Sequence, residues 1–420
     1  MIIKRHPALA TFLLALAVRV SFNLVFVVHS YQPRGDALDY VTIAENLLDG
    51  KGFATLFPGL LMRTTARRPP LFPLFLAACF ALFGRGSVAP LLILSLVGAV
   101  TCVLLVHLAR RLFGEREALV TGLLAAISPG MWINNTTLMS ETIYVLLLVA
   151  LVLLADRATR VHTVAAVLPL GVVAGLMTLT RPEGISLSAL LAFWIVAIRR
   201  GGDRWRAMVS VVAVAAFLIA PWVSRNWARF GAFIPSATSI GQVLACANND
   251  RTYYEHEWLG GLHLDPVDPT VSPQYKSWLK DPAITEAEID LRLRRQGLRY
   301  ARAHVQRLPV VVLWRLRRVL DLWNPIRSAI HESTEGRLPV ASFAAWLTFP
   351  PLLAAGALGA IRFRRSARRL FWLYAVVAFY IADVAVTWGT PRFRSPMEPM
   401  IVLFAAAYVS RGGVQIDRCP

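Results

Sequence analysis

Asp36 and Asp39 stand three positions apart, about one helical turn, in the run Arg34-Gly35-Asp36-Ala37-Leu38-Asp39-Tyr40. A carboxylate held at a water–lipid boundary can take the proton of an attacking hydroxyl. A carboxylate at the start of a helix can equally be a plain N-cap. The run Arg67-Arg68-Pro69-Pro70 has the make-up of an anion seat. Guanidinium forks meet phosphate oxygens in pairs, prolines fix the backbone, and a helix N-terminus opening beside them adds a favourable dipole. Its alternative is a pair of arginines snorkelling from an interfacial helix. Two short turns add further charge, Thr180-Arg181-Pro182-Glu183-Gly184 and Thr390-Pro391-Arg392-Phe393-Arg394. The first reads equally as a turn with a local ion pair. In the second, Arg392 and Arg394 have no acidic neighbour in sequence nearer than Glu398, which points to an anionic ligand. Glu141, Arg63 and Arg225 complete the set of charges that fall at the ends of apolar segments.

The elements that must position these charges are membrane helices. The 420-residue chain is 56% hydrophobic and 16% charged, against about 25% charged for a soluble domain. Apolar stretches of roughly 17–25 residues, each long enough to cross ~30 Å of hydrocarbon, recur along it. The reading is an all-α polytopic membrane protein with spans at 8–30, 88–109, 117–134, 139–156, 163–180, 184–199, 206–224, 339–361, 369–388 and 396–410. The segment 69–83 is apolar but short, so it reads as re-entrant or interfacial. Between Asp36 and Asp49, Ala37, Tyr40, Ala44 and Leu47 share one face of an amphipathic helix. Three parts follow: an N-terminal membrane module, 1–224, with a first outer loop at 31–87; an outer-face segment, 225–338; and C-terminal membrane helices, 339–420. In 225–338 the run Glu286–His304 reads as a charged helix, and Leu308–Trp323 as an amphipathic one that either lies on the surface or dips in.

The net charge of +19 gathers in loops on one side: Lys4/Arg5, Arg110/Arg111/Arg116, Arg157/Arg160, Arg199/Arg200/Arg204/Arg206 and Arg362/Arg364/Arg365/Arg368/Arg369. The positive-inside rule makes that side cytoplasmic and argues against nucleic acid as the partner. The catalytic-looking charges then face outward from an inner or plasma membrane. The N-terminal apolar stretch reads as an uncleaved first span, too long for a signal peptide. The four cysteines form no CxxC pair and the eight histidines no metal-ligand spacing. Cys79 and Cys102 read as core residues, and no disulfide is indicated. The sequons at Asn134 and Asn135 lie in a short turn and read as chance matches. There is no Walker or GxGxxG loop, so neither metal nor nucleotide is expected as a cofactor.

In their order, these segments resemble the GT-C superfold, and within it the glycosyltransferases that use dolichyl-phosphate-mannose or other polyprenyl-phosphate sugars, with the aminoarabinose transferases among their relatives. The resemblance is carried by Gly35-Asp36-Ala37-Leu38-Asp39-Tyr40, Arg68-Pro69-Pro70-Leu71-Phe72-Pro73, Ala109-Arg110-Arg111-Leu112-Phe113-Gly114, Ser140-Glu141, Thr180-Arg181-Pro182-Glu183-Gly184, Pro221-Trp222 with Arg225-Asn226, and Arg392-Phe393-Arg394-Ser395-Pro396. Leu71-Phe72 departs from the Gly-Tyr step that often follows the two prolines in that family. The resemblance implies a bundle of about 10–12 membrane helices. It implies a sugar donor on a polyprenyl phosphate, and a lipid, glycan or protein acceptor. It implies inverting chemistry, and Asp36 as catalytic base in the first outer loop. The substrate-binding set it implies is Asp39, Tyr40, Arg67, Arg68, Glu141, Arg181, Glu183, Arg225, Arg392 and Arg394. A transporter or flippase of an anionic lipid or solute is the alternative, since buried charge suits it too. Transporter charges cluster near the midplane, whereas here they gather at one face, which favours an enzyme; Arg19 and Asp383 are the exceptions, each read as a paired or helix-anchoring group. A non-catalytic subunit that keeps the fold is a third reading.

Overall fold

The computed structural model describes residues 6–28, 31–56, 62–161, 163–262 and 272–415. Lys4, Arg5, His29, His162, His263 and Cys419 lie outside the described residues. The chain is helical almost throughout. In order, the helices and strands are α1 (Pro7–Phe22, carried on by a π turn to Val27), α2 (Asp36–Leu48), β1 (Ala54–Leu56), β2 (Met62–Thr64), α3 (Leu71–Phe83), α4 (Ala89–Leu112), α5 (Glu115–Ile127) and α6 (Pro129–Trp132). There follow α7 (Glu141–Ala158), α8 (Leu168–Thr180), α9 (Glu183–Ile198), α10 (Asp203–Phe230), α11 (Ile240–Ala247), α12 (Asp250–Tyr254) and α13 (Tyr275–Lys280). The last are α14 (Glu286–Ala303), α15 (Leu308–Val319), α16 (Pro325–Ser333), α17 (Pro339–Arg362), α18 (Phe371–Val386) and α19 (Glu398–Val409). The two strands form one antiparallel hairpin with Ala54 opposite Thr64.

Among the described residues, four helices, Pro7–Val27, Ala89–Leu112, Asp203–Phe230 and Pro339–Arg362, are long and apolar enough to cross a membrane. Five further apolar helices, α3, α8 with its leading turn, α9, α18 and α19, are shorter, in the 10–17 residue range. The span read at 117–134 is corrected. Helix α5 stops at Ile127 because Ser128 precedes Pro129, and its backbone turns extended (ψ 121°), as residues before proline do. The polypeptide then makes α6 and a 3-10 turn to Thr136. Helix α10 runs past residue 224 to Phe230 and is closed by Gly231 in the left-handed conformation (φ 62°).

The main core joins α4, α5, α7, α8, α9, α18 and α19. Helix α19 lies at its centre. Every residue from Glu398 to Ala407 is buried, so it is apolar all round instead of striped. Helix α2 buries Ala37, Tyr40, Ile43 and Ala44, and part of this face packs on Phe72 and Leu76 of α3. Helix α15, from the Leu308–Trp323 run, packs against α18. Arg315 and Arg318 are each 1% exposed. Arg315 donates to the carbonyls of Ala385 (2.8 Å) and Ala247 (2.9 Å), and Arg318 to that of Leu259 (2.7 Å). Gly260 permits this approach, since a Cβ there would meet the Arg315 nitrogen at 2.6 Å.

Arg19, 1% exposed in α1, is a structural anchor. It donates to Asn135 Oδ1 (2.9 Å) and to the carbonyls of Ala15 (3.0 Å) and Met131 (3.2 Å). It thereby ties α1 to the 128–136 turn. Asn135 is itself 2% exposed, consistent with a packing role for this sequon. Arg19→Leu should leave these acceptors unpaired and lower unfolding stability by about 2 kcal/mol, seen as an earlier thermal transition of the detergent-solubilised protein. An unchanged transition would show that Arg19 does not anchor the turn.

Candidate functional site

Helix ends from distant parts of the chain meet at one face of the bundle. Gly35 turns the backbone with φ 53° and sets Asp36 at the first position of α2. There Asp36 makes no side-chain cap. It faces arginines instead: Arg392 Nη1 lies 2.8 Å from Asp36 Oδ2, and Arg68 contacts Asp36 Oδ1. Arg68 also donates to Asp39 Oδ2 (2.8 Å) and lies over the Tyr40 ring, 5.4 Å from its centroid. Arg67 reaches Asp39 at 3.6 Å. Arg181, at the α8–α9 turn, bridges Glu141 (2.7 Å) and Glu183 (3.0 Å). Arg392, in the turn Pro391–Arg394, also contacts Glu141. Asp36, Glu141 and Glu183 each open a helix, where the dipole favours negative charge.

Glu335 joins this cluster from the turn between α16 and α17, with Oε2 3.0 Å from Arg392 Nη1. Nothing in its sequence context marks it: Ser333-Thr334-Glu335-Gly336 reads as an ordinary surface turn. The signal lies in Gly35, whose added Cβ would stand 2.9 Å from Glu335 Oε2. Burial, with the charge of Asp36 adding to it, pushes the Glu335 carboxyl up to about 6 despite Arg392 and Arg68. For Asp36 the balance is opposite. Burial would raise its carboxyl, but Arg68 and Arg392 hold it well below the usual carboxylate range.

The cluster opens into a cavity of about 360 Å³. Asp36, Tyr40, Arg67, Arg68, Arg181, Glu183, Glu335 and Arg392 line it, with Asp383 and Trp388 from the α18 end and Gln242 from α11. Asp383, read from the sequence as an anchor or a paired group, is thus at the cavity wall. Asp39 and Glu141 stand behind the lining and hold its arginines. Among the described residues, no group of three or more His, Cys, Asp or Glu side chains is placed to hold a metal ion.

The idea that Arg392 and Arg394 are unpaired is overturned. Arg392 meets Asp36, Glu141 and Glu335. Arg394 is 2% exposed, contacts Asp321, and lies 2.5 Å from Glu398. It is not among the cavity residues. Asp321 adopts φ 54°, unusual for a residue with a side chain, and is held there by Arg394 and by Ser328 at 2.8 Å. Arg225 is likewise apart from the cavity. It donates to the carbonyls of Thr65 (2.7 Å) and Phe53 (3.0 Å) and so fixes the hairpin to α10. Arg394→Gln should therefore leave two buried carboxylates without a cation. It should cost about 3 kcal/mol of stability in a thermal melt; a melt equal to wild type would return Arg394 to the list of ligand-binding groups.

Residues 67–225 match the family model for dolichyl-phosphate-mannose-protein mannosyltransferase. No curated protein matches the chain. Among solved structures, the chain is similar to the oligosaccharyltransferase of Archaeoglobus fulgidus tethered with an acceptor peptide containing the NVT sequon (16% identity, TM-score 0.57, 98% of this chain and 50% of that one). It is similar to the same organism's oligosaccharyltransferase AglB in complex with an inhibitory peptide and a dolichol-phosphate (16% identity, TM-score 0.58, 98% and 51%). ArnT from Cupriavidus metallidurans bound to undecaprenyl phosphate aligns more loosely (16% identity, TM-score 0.43, 98% and 77%). The chain thus spans about half the length of the archaeal structures it matches.

Proposed function

We propose that this GT-C-type membrane glycosyltransferase moves a sugar from a polyprenyl-phosphate-linked donor to a hydroxyl of a lipid, glycan or protein acceptor, with Asp36 as general base. The reaction would take place on the outward face of an inner or plasma membrane, opposite the basic loops. One observation carries the reading. The Arg392 guanidinium lies 2.8 Å from Asp36 and 3.0 Å from Glu335 at the cavity wall. The group that holds the base is therefore also within reach of a phosphate. The dolichol-phosphate bound by the archaeal structure supports such a donor.

In the proposed step, the acceptor oxygen forms a bond to the anomeric carbon while the carbon–oxygen bond to phosphate breaks. The hydroxyl proton passes to Asp36. The bonding electrons leave with the phosphate, whose charge rises by one. Arg68, Arg181 and Arg392 meet that charge as it develops. Arg67, Tyr40 and Glu183 contact the donor, while Asp39 and Glu141 position the arginines. Arg225 and Arg394 act through packing. In the resting cluster Asp36 is a poor base, because Arg68 and Arg392 stabilise its anion. A phosphate that draws those guanidiniums to itself loosens their hold, so donor binding raises the basicity of Asp36. The first outer loop, 31–87, supplies the base, and the segment 225–338 selects the acceptor.

Asp36→Asn should lower transfer of radiolabelled sugar from polyprenyl-phosphate donors by about 10³-fold while the protein still folds. Glu335→Gln should keep the rate within about tenfold. Full activity of Asp36→Asn, or a collapse in Glu335→Gln alone, would sink the assignment of the base.

Binding should depend on pH. Ionised Glu335 competes with phosphate for Arg392, and its carboxyl stands near 6. Protonation below that pH releases Arg392, so the affinity for polyprenyl phosphate should rise relative to Glu335→Gln as pH falls from about 7.5 to 5.5. Taking the ratio to the variant cancels the lipid phosphate's own titration near pH 6. A ratio that stays constant across that range counts against the competition.

A further inference from the structure

At the opposite end of the helices from the Arg392 cavity lies a second cavity, of about 520 Å³. It forms where α4, α7 and α9 end and α18 begins. Its floor is aromatic. Trp194 and Trp372 meet edge to face with centroids 5.4 Å apart, and Phe371 lies 5.5 Å from Trp372. Its rim is cationic, with Arg365, Arg368 and Arg369 in the lining. Arg365 and Arg368 are exposed. The carboxylate in the lining is Asp156, and it is already shared by Arg111 (2.9 Å), Arg160 (3.6 Å) and Arg369. Positive charge therefore outweighs negative around the opening. Trp372 is 4% exposed, yet its indole nitrogen has no hydrogen-bond partner. A buried indole N–H usually finds one.

An arginine rim over an aromatic floor suits an amphiphile with an anionic head. A free phosphate would use the rim and leave the floor bare. A neutral lipid would cover the floor and leave the arginine charge unmatched. Basic pockets between membrane helices, on the face that carries the positive loops, have the chemistry to hold anionic headgroups. We infer that this cavity binds one anionic phospholipid from the adjoining leaflet, with its phosphodiester on Arg365 and Arg368 and an acyl chain along Trp194 and Trp372. The Trp372 N–H gains an acceptor among the ester or phosphate oxygens. This site is independent of the transfer reaction and stands or falls without it.

The test uses the full chain, purified in neutral detergent and incubated with phosphatidylglycerol or phosphatidylcholine. Retained lipid is counted by native mass spectrometry. Wild type should retain one phosphatidylglycerol and little phosphatidylcholine. Arg365→Gln/Arg368→Gln should retain at least tenfold less. Arg200→Gln/Arg204→Gln, which alters exposed arginines of the same face outside the lining, should retain as much as wild type. The single variants Arg365→Gln and Arg368→Gln should each lower retention, and they keep the test decisive if the double variant does not fold. Equal retention of the two lipids, equal loss in both double variants, or full displacement of the lipid by millimolar inorganic phosphate would each overturn the site.

Discussion

A guanidinium or carboxylate taken out of water beside hydrocarbon costs several kcal/mol unless it meets its opposite. That constraint organises the end of the molecule that holds the Arg392 cavity. Arg67, Arg68, Arg181 and Arg392 are matched there by Asp36, Asp39, Glu141, Glu183 and Glu335. The matched groups come from six separate helix starts and turns, so the charge lattice also fixes how those ends sit relative to one another. Because each of these four arginines already has an acid, an incoming anion must exchange with a carboxylate. The groups nearest to exchange are those on Arg392, which is shared three ways.

Arginines away from this lattice obey the same rule by other means. Arg19, Arg315 and Arg318 hydrogen-bond chiefly to main-chain carbonyls, most of them at helix ends and turns. These carbonyls would otherwise be buried polar groups in their own right. Each such arginine thus satisfies two requirements at once. This explains why large cationic side chains are among the most deeply buried residues of the chain.

The helices were legible in the sequence because apolar length and basic loops report directly on the membrane. The Ser128-Pro129 break was missed, although the proline stood in plain view, and so were the short helices α11, α12, α13 and α16. The cavity residues Asp36, Arg68, Arg181 and Arg392 were legible as types out of place: charges at the ends of apolar runs. Apart from the local Arg181–Glu183 pair, their partners were not, since pairing there joins residues far apart in the chain, Arg392 with Glu141 and Arg394 with Asp321. Arg394 and Arg225, read as ligand-binding groups, stand outside the cavity lining and pair with Asp321, Glu398 and the carbonyls of Thr65 and Phe53. Glu335 was illegible because a glutamate in a polar turn carries no local signal. Only the close approach of Gly35 reveals it.

The helices that end at the cavity are short. Helix α19 has 12 residues and α9 and α18 have 16 each, or about 18 and 24 Å at 1.5 Å per residue. Helices α4 and α17, with 24 residues each, reach about 36 Å. The bundle therefore sets helices shorter than ~30 Å of hydrocarbon beside helices longer than it. A bilayer adapts to a short span by thinning, at a cost of fractions of a kcal/mol per Å. On the proposed function, thinning beside α9 and α18 brings a lipid phosphate nearer to Arg392. Membrane thickness thus becomes a variable in how easily the cavity is filled, set by the host bilayer and not by any residue of the chain.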